Sequence, residues 1–119
     1  MTEMIFTFIY ASLFIQISQH TGTPSMLVNA ITIGGGLFQC LTSASSVTGG
    51  CLNPAIGFAQ QLFEVIYDKN IYKNTPKPVT LYYMPAYVLG PIFGGLLSGL
   101  FSAFVIERAL EESRAVDKR

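Results

Sequence analysis

Groups able to do chemistry are scarce in this 119-residue chain and unevenly placed. Between Met4 and Tyr67 the side chains of Asp, Glu, His, Lys and Arg reduce to Glu64 and His20. His20 has no nucleophile or metal-ligand partner near it in sequence, so acid–base, covalent and metal-assisted catalysis all lack a candidate. No enzymatic activity, catalytic residue, cofactor or metal is therefore expected. Cys40 and Cys51 lie in apolar surroundings without CxxC or His spacing and read as small buried residues. What remains is hydrogen bonding, concentrated in the stretch SVTGGCLNPAIGFAQQ, residues 46–61. Asn53-Pro54 is a helix-start signal: Asn at the N-cap accepts a bond from a first-turn amide, while Pro at the first helical position has the right φ and no surplus N–H. The helix continues as PAIGFAQQLFEVI, about 13 apolar-rich residues or roughly 20 Å, too short for a hydrocarbon core of about 30 Å. Such a half-span, if re-entrant, points unpaired N–H groups and a positive dipole end inward, repelling cations and offering hydrogen bonds to neutral or anionic solutes.

The elements that must position this stretch read as membrane helices. Half of the residues are hydrophobic and 12% are charged, too few charges to cover the surface of a soluble domain. Net charge is zero and no basic run is present, which excludes a nucleic-acid partner. Three apolar segments follow: about 4–20, 25–47 and 81–106. The first is short for a span, yet no Lys or Arg precedes it and no clear cleavage site follows, so a retained helix is expected rather than a signal peptide. The second is rich in Gly, Ser and Thr, which membrane helices tolerate where neighbours pack closely. The third carries Tyr82, Tyr83 and Tyr87 at one end and Glu107-Arg108 at the other. Its small residues form two stripes, Gly90/Gly94/Ser98/Ser102 and Gly95/Gly99/Ala103, so it can approach two partners; Gly34, Gly35 and Gly36 do the same for the second. A polar loop is expected over 67–80, and the charged tail 107–119 reads as a solvated helix extension with Glu111 and Arg114 at helical spacing. The expected fold is thus a single all-α membrane domain, 1–119, with three transmembrane helices and one re-entrant half-helix at about 53–66. It is integral and multi-pass, with the lipid bilayer as first partner. No targeting segment indicates which membrane.

TGGCLNPAIGFA resembles the asparagine-proline-alanine loop of the aquaporin family (the major intrinsic proteins). Glu3, Thr7 and Phe8 in TEMIFTF fit the opening found at the start of each half of that family, and VLGPIFGGLLSG is similar to its last span. The family fold has six spans and two such loops; this chain has three and one, and Gly90-Pro91 points to the C-terminal half. The resemblance implies a passive pore for water or small neutral solutes such as glycerol. Its path would be lined by Asn53, Pro54, Ala55 and the backbone carbonyls of Thr48, Gly49, Gly50 and Cys51. Asn53 would cap the half-helix through its oxygen and present its NH₂ to the lumen, and Glu3 would brace the loop by accepting backbone N–H bonds. By the same analogy the loop after Tyr67 lies on the outer side.

The chain departs from the family at its filter. Three residues after Asn53, where most second halves carry Arg, stands Ile56; counting back without gaps places two further filter positions on Leu41 and Gly50. An apolar, uncharged filter suits either small neutral solutes or a pore that no longer conducts. Two expectations follow: a channel half completed by a second copy or another subunit, or a non-conducting structural subunit of a larger membrane complex. A third is that the 119 residues are part of a longer channel.

Overall fold

The computed structural model describes residues 1–21, 24–71 and 80–117. Among these residues the chain is helical apart from short joints, with no strand. Helix α1 spans Thr2–Ile15 and runs on through a π-helical turn, Gln16–Thr21. Helix α2 spans Met26–Thr48, α3 Pro54–Ile71 and α4 Thr80–Phe101. A second π-helical turn, Ser102–Ile106, carries α4 directly into α5, Glu107–Asp117. The charged tail is therefore a helical extension as far as Asp117. Of the polar loop expected over 67–80, residues 72–79 lie outside the described residues.

Two boundaries depend on named side chains. Ser25 holds the extended N-cap conformation ahead of α2, and its Oγ accepts from the Val28 N–H at 3.5 Å. At the other end Gly49 takes the left-handed conformation (φ +83°) and its N–H returns to the Ser45 carbonyl at 3.1 Å, the usual glycine stop. Helix α3 is longer than the 53–66 expected from its apolar run. Tyr67–Ile71 continues the helix, because nothing before Pro76 breaks it, and the 18 residues reach about 27 Å.

Two helices are long and apolar enough to cross a membrane: α2, and α4 with its extension. Helix α3 is not among them, since Gln60, Gln61 and Glu64 interrupt its apolar run, nor is α1, whose regular part is 14 residues.

Packing places α1 between α2 and α4, with α3 on the far side of α4. The result is a thin slab, 73 × 28 × 19 Å, about two helix diameters deep. Helix α1 runs antiparallel to α2, with Leu13 near Gly36 and Glu3 near Thr48, and parallel to α4. At the α1–α4 seam Gly90, Gly94 and Ser98 of the first stripe let the backbones close up. A Cβ on Gly94 would sit 2.9 Å from Thr7 Cβ and 3.0 Å from Phe8 N; one on Gly90 would lie 3.1 Å from Glu3 Cβ. Ser12 Oγ donates to Ser98 Oγ at 3.1 Å, and Phe8 meets Phe101 edge-on with centroids 5.8 Å apart.

The interior is small and partly polar, and the outside is apolar. Cys40, Ala44 and Leu52 form the core, with Phe6, Tyr10 and Leu41 packed against it, while Glu3, Thr7, Gln61, Ser98 and Ser102 are also buried. Large side chains such as Leu27 (70% exposed), Phe38 and Phe104 face outward. Burial of large apolar groups therefore does not hold the helices together; close backbone approach and interhelical hydrogen bonds do.

Candidate functional site

The site begins where α2 stops. After Gly49, Gly50 also has positive φ (+70°), and a Cβ there would lie 2.7 Å from the Leu41 carbonyl oxygen. Glycine is required on both counts. Leu52 follows at φ +47°, a conformation costing about 1–2 kcal/mol for a residue with a Cβ.

Glu3 supplies the compensation. Its side chain is 3% exposed, and its carboxylate accepts the Leu52 N–H at 2.7 Å, the Cys51 N–H at 3.3 Å and the Thr48 hydroxyl in a short hydrogen bond. Three donors converge on one buried carboxylate, and their hydrogen bonds replace the water it has given up. The first turn of α1 thus fastens the end of α2 to the chain entering α3, and it turns Leu52 into the core beside Cys40 and Ala44.

Asn53 comes next. Its Oδ1 accepts the Ala55 N–H at 2.9 Å and its backbone carbonyl accepts the Gly57 N–H at 2.9 Å, which is the N-cap geometry. With the oxygen so used, the carboxamide NH₂ points away as an exposed donor with no partner among the described residues. Pro54 is half-buried at the first helical position, and Ala55 and Ile56 are exposed on the first turn, Ile56 at 49%.

The residues expected on one path divide into two groups. Gly49, Asn53, Ala55 and Ile56 are exposed around the start of α3, and Gly50 is half-buried beside them. Leu41 and Cys51 turn inward. The Leu41 side chain packs on the core cluster beneath Gly50, and Cys51 is buried with its Sγ donating to Gln60 Oε1 at 3.0 Å.

That last contact opens onto a cleft the sequence analysis did not anticipate. About 610 Å³ in size, it lies between the loop, α3 and α4, and its polar lining includes Thr48, Cys51, Gln60, Gln61 and Glu64, with Tyr87 across from them. A smaller one of about 280 Å³ lies on the other side of Glu3, against Tyr83 and Tyr87. Helix α3 meets α4 at Gly57, where a Cβ would come within 2.9 Å of the Tyr87 carbonyl oxygen. Four residues on from Tyr87 stands Pro91, which has no N–H to give that carbonyl. The available signal was the clustering of Gln60, Gln61 and Glu64 on an apolar helix, with Glu64 four residues after Gln60 and three after Gln61, since polar groups on such a helix face an interior or a cavity.

No three His, Cys, Asp or Glu side chains converge among the described residues. Comparison of the chain with protein-family models, with characterised proteins and with solved structures gives no match.

Proposed function

We propose that this chain is an integral membrane protein and one half of an aquaporin-like channel, with α1, α2 and α4 as its spans and α3 as the re-entrant half-helix. A second copy or a different subunit completes the pore, through which water or a small uncharged solute such as glycerol passes. The observation that carries this reading is the Glu3 bracket. One buried carboxylate gathers Thr48, Cys51 and Leu52, so that Asn53 caps α3 and leaves its NH₂ exposed beside the helix N-terminus. A passing solute meets one fixed donor and a positive dipole end, which disfavours cations, and Ile56 adds no charge of its own. The apolar exterior and the two helices of spanning length support the bilayer setting.

The test is osmotic swelling of vesicles carrying the purified chain. Permeability well above the lipid background is expected. Asn53→Asp, which keeps the capping oxygen but replaces the donor with a charge, is expected to cut water flux severalfold and raise cation leak. Unchanged flux removes Asn53 from the path.

A second reading, a non-conducting structural subunit, is favoured by one feature: an exposed Ile56 stands where most second halves of the family carry Arg. It predicts no flux above background together with stoichiometric inclusion in a larger membrane complex.

A further inference from the structure

Resting on the half-channel reading, we propose that the second half is an inverted copy of this chain: it inserts in both orientations, and two copies pair through the outer face of α2. That face is unlike the rest of the exterior. Cys40 and Ala44 turn α2 toward its own core, and on the opposite side Val28, Thr32, Gly35, Gln39, Thr42 and Ser46 recur every three or four residues, all of them exposed. Four of the six are polar, on a helix long and apolar enough to cross a bilayer. Thr32 and Thr42 return their protons to their own helix, at 2.9 Å to the Val28 carbonyl and 2.8 Å to that of Phe38. Gln39 is not satisfied in this way. One of its N–H groups reaches Ser43 Oγ at 3.3 Å, which leaves the second N–H and the carbonyl oxygen without a partner among the described residues. It stands two residues, roughly 3 Å, from the middle of α2, at a depth where hydrocarbon offers neither donor nor acceptor.

The order of residues along the face specifies what covers it. Inversion about position 37, the midpoint of Met26–Thr48, exchanges Val28 with Ser46, Thr32 with Thr42 and Gly35 with Gln39. The face thus maps onto itself, as a twofold contact requires, with both copies at the same depth. Gly35 meets nothing within 4 Å in its own chain and admits the facing backbone. Helical side chains lean toward the helix N-terminus, so both Gln39 side chains lean toward the axis, where the carbonyl of one accepts from the NH₂ of the other. The flanking charges supply the inverted copy. Lys69, Lys73 and Lys77 precede α4 and Arg108, Arg114, Lys118 and Arg119 follow it, three against four, with no Lys or Arg before Lys69. No excess of positive charge fixes one orientation, so both are populated.

The full chain, expressed in a bacterial inner membrane, is tested in a Cys40→Ala/Cys51→Ala background. With Ser113→Cys added on α5, a membrane-impermeant maleimide applied to sealed spheroplasts is expected to label about half of the tails, and the remainder only after permeabilisation. Glu111→Lys with Glu112→Lys, which raises the Lys and Arg of the tail from four to six, is expected to collect the tails on one side. Oxidation is expected to cross-link coexpressed Val28→Cys and Ser46→Cys chains severalfold more than either variant alone. Labelling of all tails from one side would overturn the inverted pair and leave standing a half-channel completed by a different subunit. Cross-linking of Val28→Cys with itself in place of the mixed product, or no mixed product despite both orientations, would also overturn it. Cross-linked inverted pairs without osmotic flux would uphold the pair and sink the pore.

Discussion

Helix α4 carries two stripes of small residues, alike in composition and offset by one position, that meet different fates. Gly90, Gly94 and Ser98 lie against α1, with backbone and Cβ atoms at contact distance and a serine pair hydrogen-bonded across the seam. Gly95 and Gly99 meet nothing within 4 Å. Small residues therefore specify where a backbone can approach, and the partner decides whether it does. The occupied stripe is also the one that joins α1 to the loop: Gly90 packs on Glu3, whose carboxylate holds Cys51 and Leu52. The seam and the site are one structure, whereas the open stripe can change without touching either.

The largest effect is expected from Gly94→Leu. Its side chain would have to pass through the backbone of Met4 and Phe8, which cannot yield as a side chain can. A loss of at least about 3 kcal/mol, seen as failure to recover a monodisperse protein from detergent, is predicted. Glu3→Ala comes next. It orphans the Cys51 and Leu52 N–H groups and removes what keeps Leu52 at positive φ, at a cost of about 2–3 kcal/mol. Amide exchange should accelerate at Cys51 and Leu52 before it does in α2, and Glu3→Gln, which retains one acceptor, should lose less. Ser98→Ala breaks the bond from Ser12 and should lower stability in reversible unfolding by about 0.5–1 kcal/mol, the usual worth of an interhelical hydrogen bond in a membrane. Gly99→Leu, on the open stripe, should leave the stability of the single chain within about 0.5 kcal/mol. Equal losses from Gly94→Leu and Gly99→Leu would erase the distinction between the stripes.

Legibility in the sequence followed how local each determinant is. The start of α3 was readable because Asn53 and Pro54 carry their own conformational instruction, and the end of α2 because Gly49-Gly50 follows a run of small residues. The end of α3 was misplaced by about five residues: the end of its apolar run was used to set it, while the chain itself contains no breaker until Pro76. Neither π-helical turn, Gln16–Thr21 or Ser102–Ile106, has a local signature. Both small-residue stripes could be seen, but not which one is filled, since that depends on where α1 lies. Glu3 was singled out only through a family resemblance; nothing adjacent to position three tells a buried acceptor from a solvated terminus. Gln61 was missed although its polar neighbours on α3 marked a side that faces a cavity: its burial arises from the meeting of Gly57 with Tyr87, thirty residues apart, which the spacing within α3 does not announce.

The central claim is that this chain is half of a pore and needs a second half. The measurement that bears on it most directly is the native mass and subunit content of the particle extracted gently from its own membrane. A small particle made of two such chains, or of this chain with one complementary half, is the predicted result. Stoichiometric residence inside a much larger complex would contradict it.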